Sequence, residues 1–345
     1  SDALSKFGLK VSEYDQSIFY QQKPLLLVLV YVDDGLILGQ DENEINKILT
    51  HLQQEFKMRT LSVNIYRGLE IELASEGIFL HQAKYIKKVL NMFGMSESRP
   101  ADNPLAQINP DDSPELDSEC PYRSVIGSLA YLADTSRPDI SYAVNHLARF
   151  LSSPTEYAWA QAKQILRYLK STADLGIMYK YGTSTASLIG FGDSDFAGDK
   201  STSKSTTGYL MIHNGAVFHW KTQLQRHVTL SSTEAEVVAL CSLSKELSWI
   251  RRMMVELNII DDIPATLLCD NMSAIRVVNS EKPTQRTRHL RAQNAYVREQ
   301  LTSNELLIEH VRSNDQLADI LTKNLPTTKF LTNRKKIMKT RPISQ

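Results

Sequence analysis

The sequence predicts an α/β protein, part α+β, whose C-terminal half carries a mixed five-stranded sheet. Three β-rich runs, at about 187–193, 208–213 and 216–221, follow one another closely, as antiparallel strands do. Helical and strand-like patterns then alternate to about residue 325, the order that builds parallel pairs. The first of these runs, 187–198, also carries chemistry. It passes from apolar residues into Asp193 and Asp195, between Gly192 and Gly198. A buried strand is expected to deliver its carboxylates there, beside a turn with room for a ligand.

Composition bounds the class. A chain of 345 residues allows two or three domains with real cores. A formal net charge of zero excludes a whole-molecule field for nucleic acid, so any basic surface is local. Cys120, Cys241 and Cys269 are too few and too scattered for a disulfide framework or a zinc site, which points to a reducing compartment. No signal peptide or membrane-length apolar run is present, and 25–32 is too short to span. The chain opens at Ser1 without methionine, as a piece of a longer protein would.

In chain order, 25–32 is apolar and β-branched, meets Asp33-Asp34-Gly35, and gives way to a second apolar run at 36–38. Strand, acidic turn and strand predict a β-hairpin with two adjacent carboxylates at its tip. An ordinary surface turn and a metal-holding tip both fit that pattern. Ile45, Ile48, Leu49, Leu52 and Phe56 share one helical face, and Tyr85, Ile86, Val89, Leu90 and Phe93 share another. Between them, 65–73 and 77–80 read as a strand pair with Gly77 near the turn. Residues 99–121, rich in Pro, Asp, Asn and Ser, read as a linker or a long surface loop. Three helices follow at about 122–133, 140–151 and 157–171. Their recurring cations, Arg123, Arg137, Arg149, Lys163, Arg167 and Lys170, suit either a solvated face or a track for phosphate backbone.

A long helix is predicted over about 233–257, with Ser231, Ser232 and Thr233 as N-cap residues. Glu236, three positions past Thr233, is then either the acid of a capping box or a ligand. A strand at 266–269 leads to Asp270 and a short helix. A helix at 290–301, a strand at 305–311 and a last helix from about 315, carrying Asp319, complete the pattern. Asp193 and Asp270 would end strands where open α/β sheets bind ligands. Asp193, Glu234 or Glu236, Asp270 and Asp319, brought together, would repel one another unless cations lay between them. Two hard divalent ions, Mg²⁺ or Mn²⁺, suit such a cluster.

Several strings carry a family resemblance. YVDD at 31–34 resembles the YxDD box of reverse transcriptases. GDSDFAGD, KSTTGYL, SSTEAEVVAL, CDNMSAI and ADILTKNL, with YRSVIGSLAYLADTSRPDISYAV upstream, resemble the polymerase of copia-type LTR retrotransposons. The resemblance runs from the YVDD box to about Leu325. It implies a truncated reverse transcriptase palm with a thumb-like region at 1–98 and a linker at 99–121. A helical connection at 122–184, a ribonuclease H domain at 185–325 and a basic tail at 326–345 would follow. Asp193, Glu236, Asp270 and Asp319 match the family's ribonuclease H acids, and AEVVAL favours Glu236 over Glu234. Asp195 is the weaker member of its pair. Asp33 and Asp34 match two of three polymerase acids.

The implied activity is hydrolysis of RNA in RNA–DNA hybrids with two Mg²⁺ or Mn²⁺ ions. Arg123, Arg149, Lys163, Arg167 and Lys170 would grip nucleic acid backbone. The implied partners are the hybrid and the rest of a Pol polyprotein, with its protease, integrase and N-terminal reverse transcriptase, and no membrane. The implied location is the cytoplasm, in virus-like particles, with access to the nucleus. Three features depart from the family pattern. Nothing before Tyr31 suits the palm strand of the third polymerase acid, so DNA synthesis is not expected of this chain alone. Phe196 stands where the family has Trp. Residues 290–297, just after Arg288-His289, lack the family's acidic and aromatic residues, which are expected at the rim of the site. An inert, nucleic-acid-binding remnant that keeps the fold is the rival reading.

Overall fold

The computed structural model describes residues 2–61, 63–107, 113–117, 119–182, 187–280 and 290–342. The apolar run expected as a strand is the third of four antiparallel strands: β1 (Lys10–Val11), β2 (Ile18–Gln22), β3 (Leu25–Tyr31) and β4 (Asp34–Gly39). Helices α1 (Asp2–Lys6) and α2 (Glu42–Glu55) pack on it, burying Leu4, Phe19, Leu26, Val28 and Ile48. Tyr31 pairs with Asp34, so the turn is Val32-Asp33 and Asp34 already belongs to the return strand. Phe56 lies outside the expected helical face: it is the C-cap of α2, 54% exposed.

A second antiparallel sheet joins distant parts of the chain in the order β14 (Lys339–Thr340), β8 (Leu175–Lys180), β7 (Gly77–His81), β6 (Leu69–Ala74), β5 (Ile65–Tyr66). The single strand expected at 65–73 is two strands. Arg67 and Gly68 both take positive φ, 49° and 76°, and fold a hairpin turn there. The expected 326–345 tail is folded as well. Helix α10 (Thr327–Ile337) buries Phe330 and Ile337, and β14 closes the edge of this sheet.

Helix α3 (Ala83–Met92) leads to the 99–121 segment, which is a docked surface loop where it is described. Gln161 bonds both the N–H (2.9 Å) and the C=O (3.2 Å) of Ala106, and Asn103 donates to the Leu325 carbonyl at 3.1 Å. Helices α4 (Tyr122–Thr135), α5 (Ser141–Ala148) and α6 (Glu156–Ser171) then build the largest core, through Val125, Leu129, Leu147, Ile165 and Leu169. Arg137 is not on a phosphate track: it is fully buried. Its guanidinium grips Asp139 at 2.8 and 2.9 Å and the Thr172 carbonyl at 3.0 Å, and the Tyr168 hydroxyl donates to the same carboxylate. Burial opposes ionisation of Asp139, but Arg137 outweighs it and holds the carboxyl below its usual range.

The mixed sheet has the order β11 (Ala216–Leu224), β10 (Thr206–His213), β9 (Ile189–Asp195), β12 (Ala265–Cys269), β13 (Leu306–His310). The first three strands are antiparallel, and β9, β12 and β13 run parallel. Helices α7 (Ser232–Glu256), α8 (Met272–Asn279) and α9 (Arg291–Thr302) supply the core on one side, with Leu240, Leu243, Ile275 and Val297. Phe191, Leu210 and Val217 share the core of α4–α6, and Trp220 donates to the Ala133 carbonyl at 2.7 Å. Both faces are therefore buried, and β9 is buried without a break from Gly190 to Ser194. The N-terminal sheet docks on the end of α7: Ser12 donates to Glu256 at 2.5 Å, and Ile18 and Tyr20 pack on Leu257.

His146, at the end of α5, gives the fold a pH dependence. It lies among Tyr142, Phe150 and Tyr157, with Arg149 and Asp199 nearby. Burial, reinforced by Arg149 and opposed by Asp199, depresses its pKa to about 4. The unfolded chain binds the proton first, so this contribution is complete above the ordinary histidine pKa and is lost as pH falls towards 4. Wild-type chain is expected to lose about 1–3 kcal/mol more than His146→Gln between pH 7 and 4.5, measured by denaturant unfolding. Parallel losses in the two proteins would contradict this.

Candidate active site

The site is assembled by the mixed sheet, α7 and a 3₁₀ turn at Leu317–Leu321. Strand β9 continues to Asp195, so Asp193 sits inside the strand, opposite Gly208, rather than at its end. Asp195 accepts from the Thr206 N–H across its own hairpin, which marks it as a structural acid. A Cβ at Gly208 would stand 2.6 Å from the Thr322 methyl and 2.8 Å from the Leu321 Cβ. Only glycine lets the 3₁₀ turn lie this close to the sheet. Gln316 completes the seat by donating to the Gly192 carbonyl at 2.9 Å and accepting from the Ala318 N–H at 3.2 Å. These bonds tighten the segment around Asp319 into one 3₁₀ turn, where the sequence predicted a helix from 315.

Helix α7 gives Glu234 and Glu236 different surroundings. Its N-cap is Ser231, which accepts from the Glu234 N–H at 3.2 Å, and Glu234 reaches back to the Leu230 N–H at 2.7 Å. The capping acid is Glu234, two residues earlier than Thr233 suggested. Glu236 lies on the next stretch of α7, buried, and accepts from the Ser194 N–H at 3.3 Å. Asp270 follows β12, and Asn271 caps α8 through the N–H groups of Ser273 and Ala274.

Asp193, Glu236 and Asp270 line one cavity of about 370 Å³ with Ser194, Asn271, Met272, Ser273 and Lys323. One ligand atom from each of Glu236, Cys269 and Asp270 falls within 4.8 Å of the others. Burial, then Asp193 and Asp270, push Glu236 up to about 9. Burial and Asp319 raise Asp193 to about 6, against the opposing pull of Lys323 and the Thr322 hydroxyl, which donates to it at 2.5 Å. Burial and Glu236 raise Cys269 further, so its thiol stays neutral. Asp319 faces two cations. Lys323 lies 2.5 Å from its Oδ1 and 3.6 Å from Asp193 Oδ2, and Lys329 of α10 pairs with Oδ2. The sequence reading missed both lysines. Lys323 was within reach of it, four residues past Asp319, the spacing of a local ion pair; Lys329 arrives through tertiary packing.

The chain is similar to several known proteins. The family described as reverse transcriptase (RNA-dependent DNA polymerase) matches residues 1–107. The retrovirus-related Pol polyprotein from transposon RE1 of Arabidopsis thaliana is 37% identical over 98% of this chain, which spans 23% of that polyprotein. The uncharacterized mitochondrial protein AtMg00810 of the same plant is 36% identical, over 65% of this chain and 94% of its own length. The chain belongs to the copia-type retrotransposon Pol family. A crystal structure of LC11-RNase H1 with an RNA/DNA hybrid overlays loosely, with a TM-score of 0.31 at 14% identity over 39% of this chain and 93% of that one.

Other residues that the Pol resemblance singled out are dispersed. Asp33 and Asp34 are exposed at the hairpin tip, and among the described residues no third ligand group joins them. Arg123 is exposed, Lys163 lies over the Trp159 ring, and Arg167 lines an open groove with Arg99. Arg149 is paired with Asp199 at 2.9 Å, and Lys170 donates to the Ser98 carbonyl at 2.8 Å. Phe196 is half exposed. The 290–297 stretch opens α9 and buries Leu290, Asn294 and Val297, while Arg288 and His289 lie outside the described residues.

The two glutamates should separate cleanly. Glu234→Ala is expected to cost about 0.5–2 kcal/mol through loss of the cap. Glu236→Gln should leave stability at pH 7 unchanged or higher, because a neutral side chain suits that buried place. Thermal unfolding of both variants in chelator checks the pair, and the opposite ranking would return the capping role to Glu236.

Proposed function

We propose that Asp193, Glu236, Asp270 and Asp319 form a ribonuclease H site that hydrolyses the RNA strand of an RNA–DNA hybrid. The observation that carries this reading is the convergence of Asp193, Glu236 and Asp270 on one polar cavity beside Asp319. The donor set fits hard divalent ions, since its charged members are all carboxylates and Glu236 retains a proton where no added cation compensates it. Two Mg²⁺ or Mn²⁺ ions held by the four acids would supply an activated water and stabilise the departing 3′ oxygen. The chain's own part is orientation. The Ser194 N–H fixes Glu236, the Thr322 hydroxyl fixes Asp193, and the Asn271 cap anchors the helix that follows Asp270. Burial and the neighbouring acids favour the protonated form of Glu236, and positive charge entering the cavity would favour loss of that proton. A contact to the RNA 2′-hydroxyl would distinguish the strands.

The division into a partial palm, a helical connection and a ribonuclease H domain belongs to the same reading. So do an association with the rest of a Pol polyprotein and a place in cytoplasmic virus-like particles with access to the nucleus. Arg123, Lys163 and Arg167 are the better placed backbone contacts, while Arg149 and Lys170 would have to leave their present partners. Polymerisation would belong to the longer parent.

Cleavage of a labelled RNA–DNA hybrid by the full chain should require Mg²⁺ or Mn²⁺ and stop with chelator. Asp270→Asn should lower the rate by about 100-fold or more while unfolding stays cooperative. Undiminished cleavage in that variant would refute the site, and a folded wild-type chain that never cleaves would favour the inert remnant.

Primer extension provides a separate check. Asp33 and Asp34 supply only part of a two-metal shell, so the purified chain should incorporate no nucleotide with either ion. Any templated incorporation would show that these two acids find their third partner.

A further inference from the structure

We infer that Lys323 and Lys329 are resident counter-ions of the acidic site and set how tightly its Asp193–Asp319 side accepts a divalent cation. This rests on the ribonuclease H reading. Asp193 and Asp319 are each 2% exposed, so neither is relieved by water. Lys323 bridges them, at 2.5 Å from Asp319 and 3.6 Å from Asp193. Lys329 takes the other oxygen of Asp319 and also donates to the Ser313 carbonyl at 3.4 Å. Both oxygens of Asp319 therefore face ammonium groups. Among the described residues, no lysine or arginine is ion-paired with Glu236 or Asp270.

The site is thus asymmetric. Its Glu236–Asp270 side opens onto the cavity, and its Asp319 side already holds protein cations. The lysine side chains are 42% and 33% exposed, so their heads can move into water while their stems stay packed. The carboxylates are buried on rigid elements and cannot follow. An incoming divalent ion at Asp319 must displace an ammonium and loses affinity by that contest.

Lys329 adds reach. Helix α10 is held by Phe330 against Tyr168, by Arg334 on the Tyr168 hydroxyl at 3.2 Å and by Asn333 on the Gln316 carbonyl at 3.2 Å. Its far end continues into β14, at the edge of the sheet that contains β5–β8. The docking of the C-terminal segment therefore decides whether Asp319 keeps its second ammonium. Lys323, by contrast, lies four residues past Asp319, just after the 3₁₀ turn, and stays available whatever α10 does.

The test uses full-length chain without nucleic acid. Mn²⁺ binding is followed by calorimetry and by the electron paramagnetic resonance of free Mn²⁺, for wild type, Lys323→Met, Lys329→Met and the exposed control Lys335→Met. One tighter and one weaker ion are expected in wild type. Lys329→Met should tighten the weaker ion by about tenfold, the effect of removing one close like charge. In chelator the same variant should unfold several degrees below Lys335→Met. If Lys323→Met does not fold, Lys329→Met carries the test alone. Wild-type binding retained unchanged in both lysine variants overturns this inference and leaves the ribonuclease H site standing. Absence of Mn²⁺ binding in every protein overturns the metal site itself, and this inference with it.

Discussion

Buried negative charge is the constraint around which the rest of the structure is arranged. Asp193, Glu236 and Asp319 are each no more than 5% exposed and share one corner of the fold. Carboxylates in such a place must be neutralised, hydrogen-bonded or paired. All three solutions are present. Burial and neighbouring acids favour the neutral form of Glu236, Asp193 accepts from Thr322 and faces Lys323, and Asp319 is flanked by two ammonium groups. Each is the kind of compensation that a bound cation can replace, and this connects a stability problem to a chemical capacity.

Holding the acids together needs close backbone approach. Gly208 lets the 3₁₀ turn touch β10, and at Gly190 a Cβ would stand 2.9 Å from Leu243 of α7. These two contacts hold the β9–β10 pair between a helix and a turn that each deliver an acid. The helical core then covers the open face of the sheet. Its buried Arg137–Asp139 pair ties the α4–α5 junction to Thr172 and Tyr168 at the end of α6. Breaking such a pair would strand a buried charge, at a cost of about 3–5 kcal/mol. Through Tyr168 and Arg334 the same network reaches α10, which carries Lys329. The acidic site and the helical core are consequently one mechanical unit.

The N-terminal hairpin shows the contrast. Asp33 and Asp34 are adjacent in sequence, project from an exposed tip and have water to solvate them. No buried-charge problem arises there, and no cluster forms among the described residues. The sheet below it nevertheless docks on α7 through Glu256 and Leu257, so the part that matches reverse transcriptase rests on the helix that carries Glu236.

The sequence by itself determined the order and type of most elements, because apolar periodicity in β9 or α6 follows directly from burial on two faces or one. It also brought forward Asp193, Glu234 or Glu236, Asp270 and Asp319 as candidate acids, and the family resemblance preferred Glu236. It misplaced what depends on single bonds or backbone angles. The Arg67-Gly68 turn split an expected strand, Gln316 tightened an expected helix to a 3₁₀ turn, and Ser231 takes Glu234 as the capping acid, a role left open for Glu236. Arg137 looked like surface charge because a basic residue carries no mark of burial until Asp139 folds against it. Only the tertiary structure decided which cations meet the acids. Lys329 reaches Asp319 because α10 folds back across the core. That contact depends on helix packing over ten residues of chain, a distance at which charge pattern alone has no preferred partner.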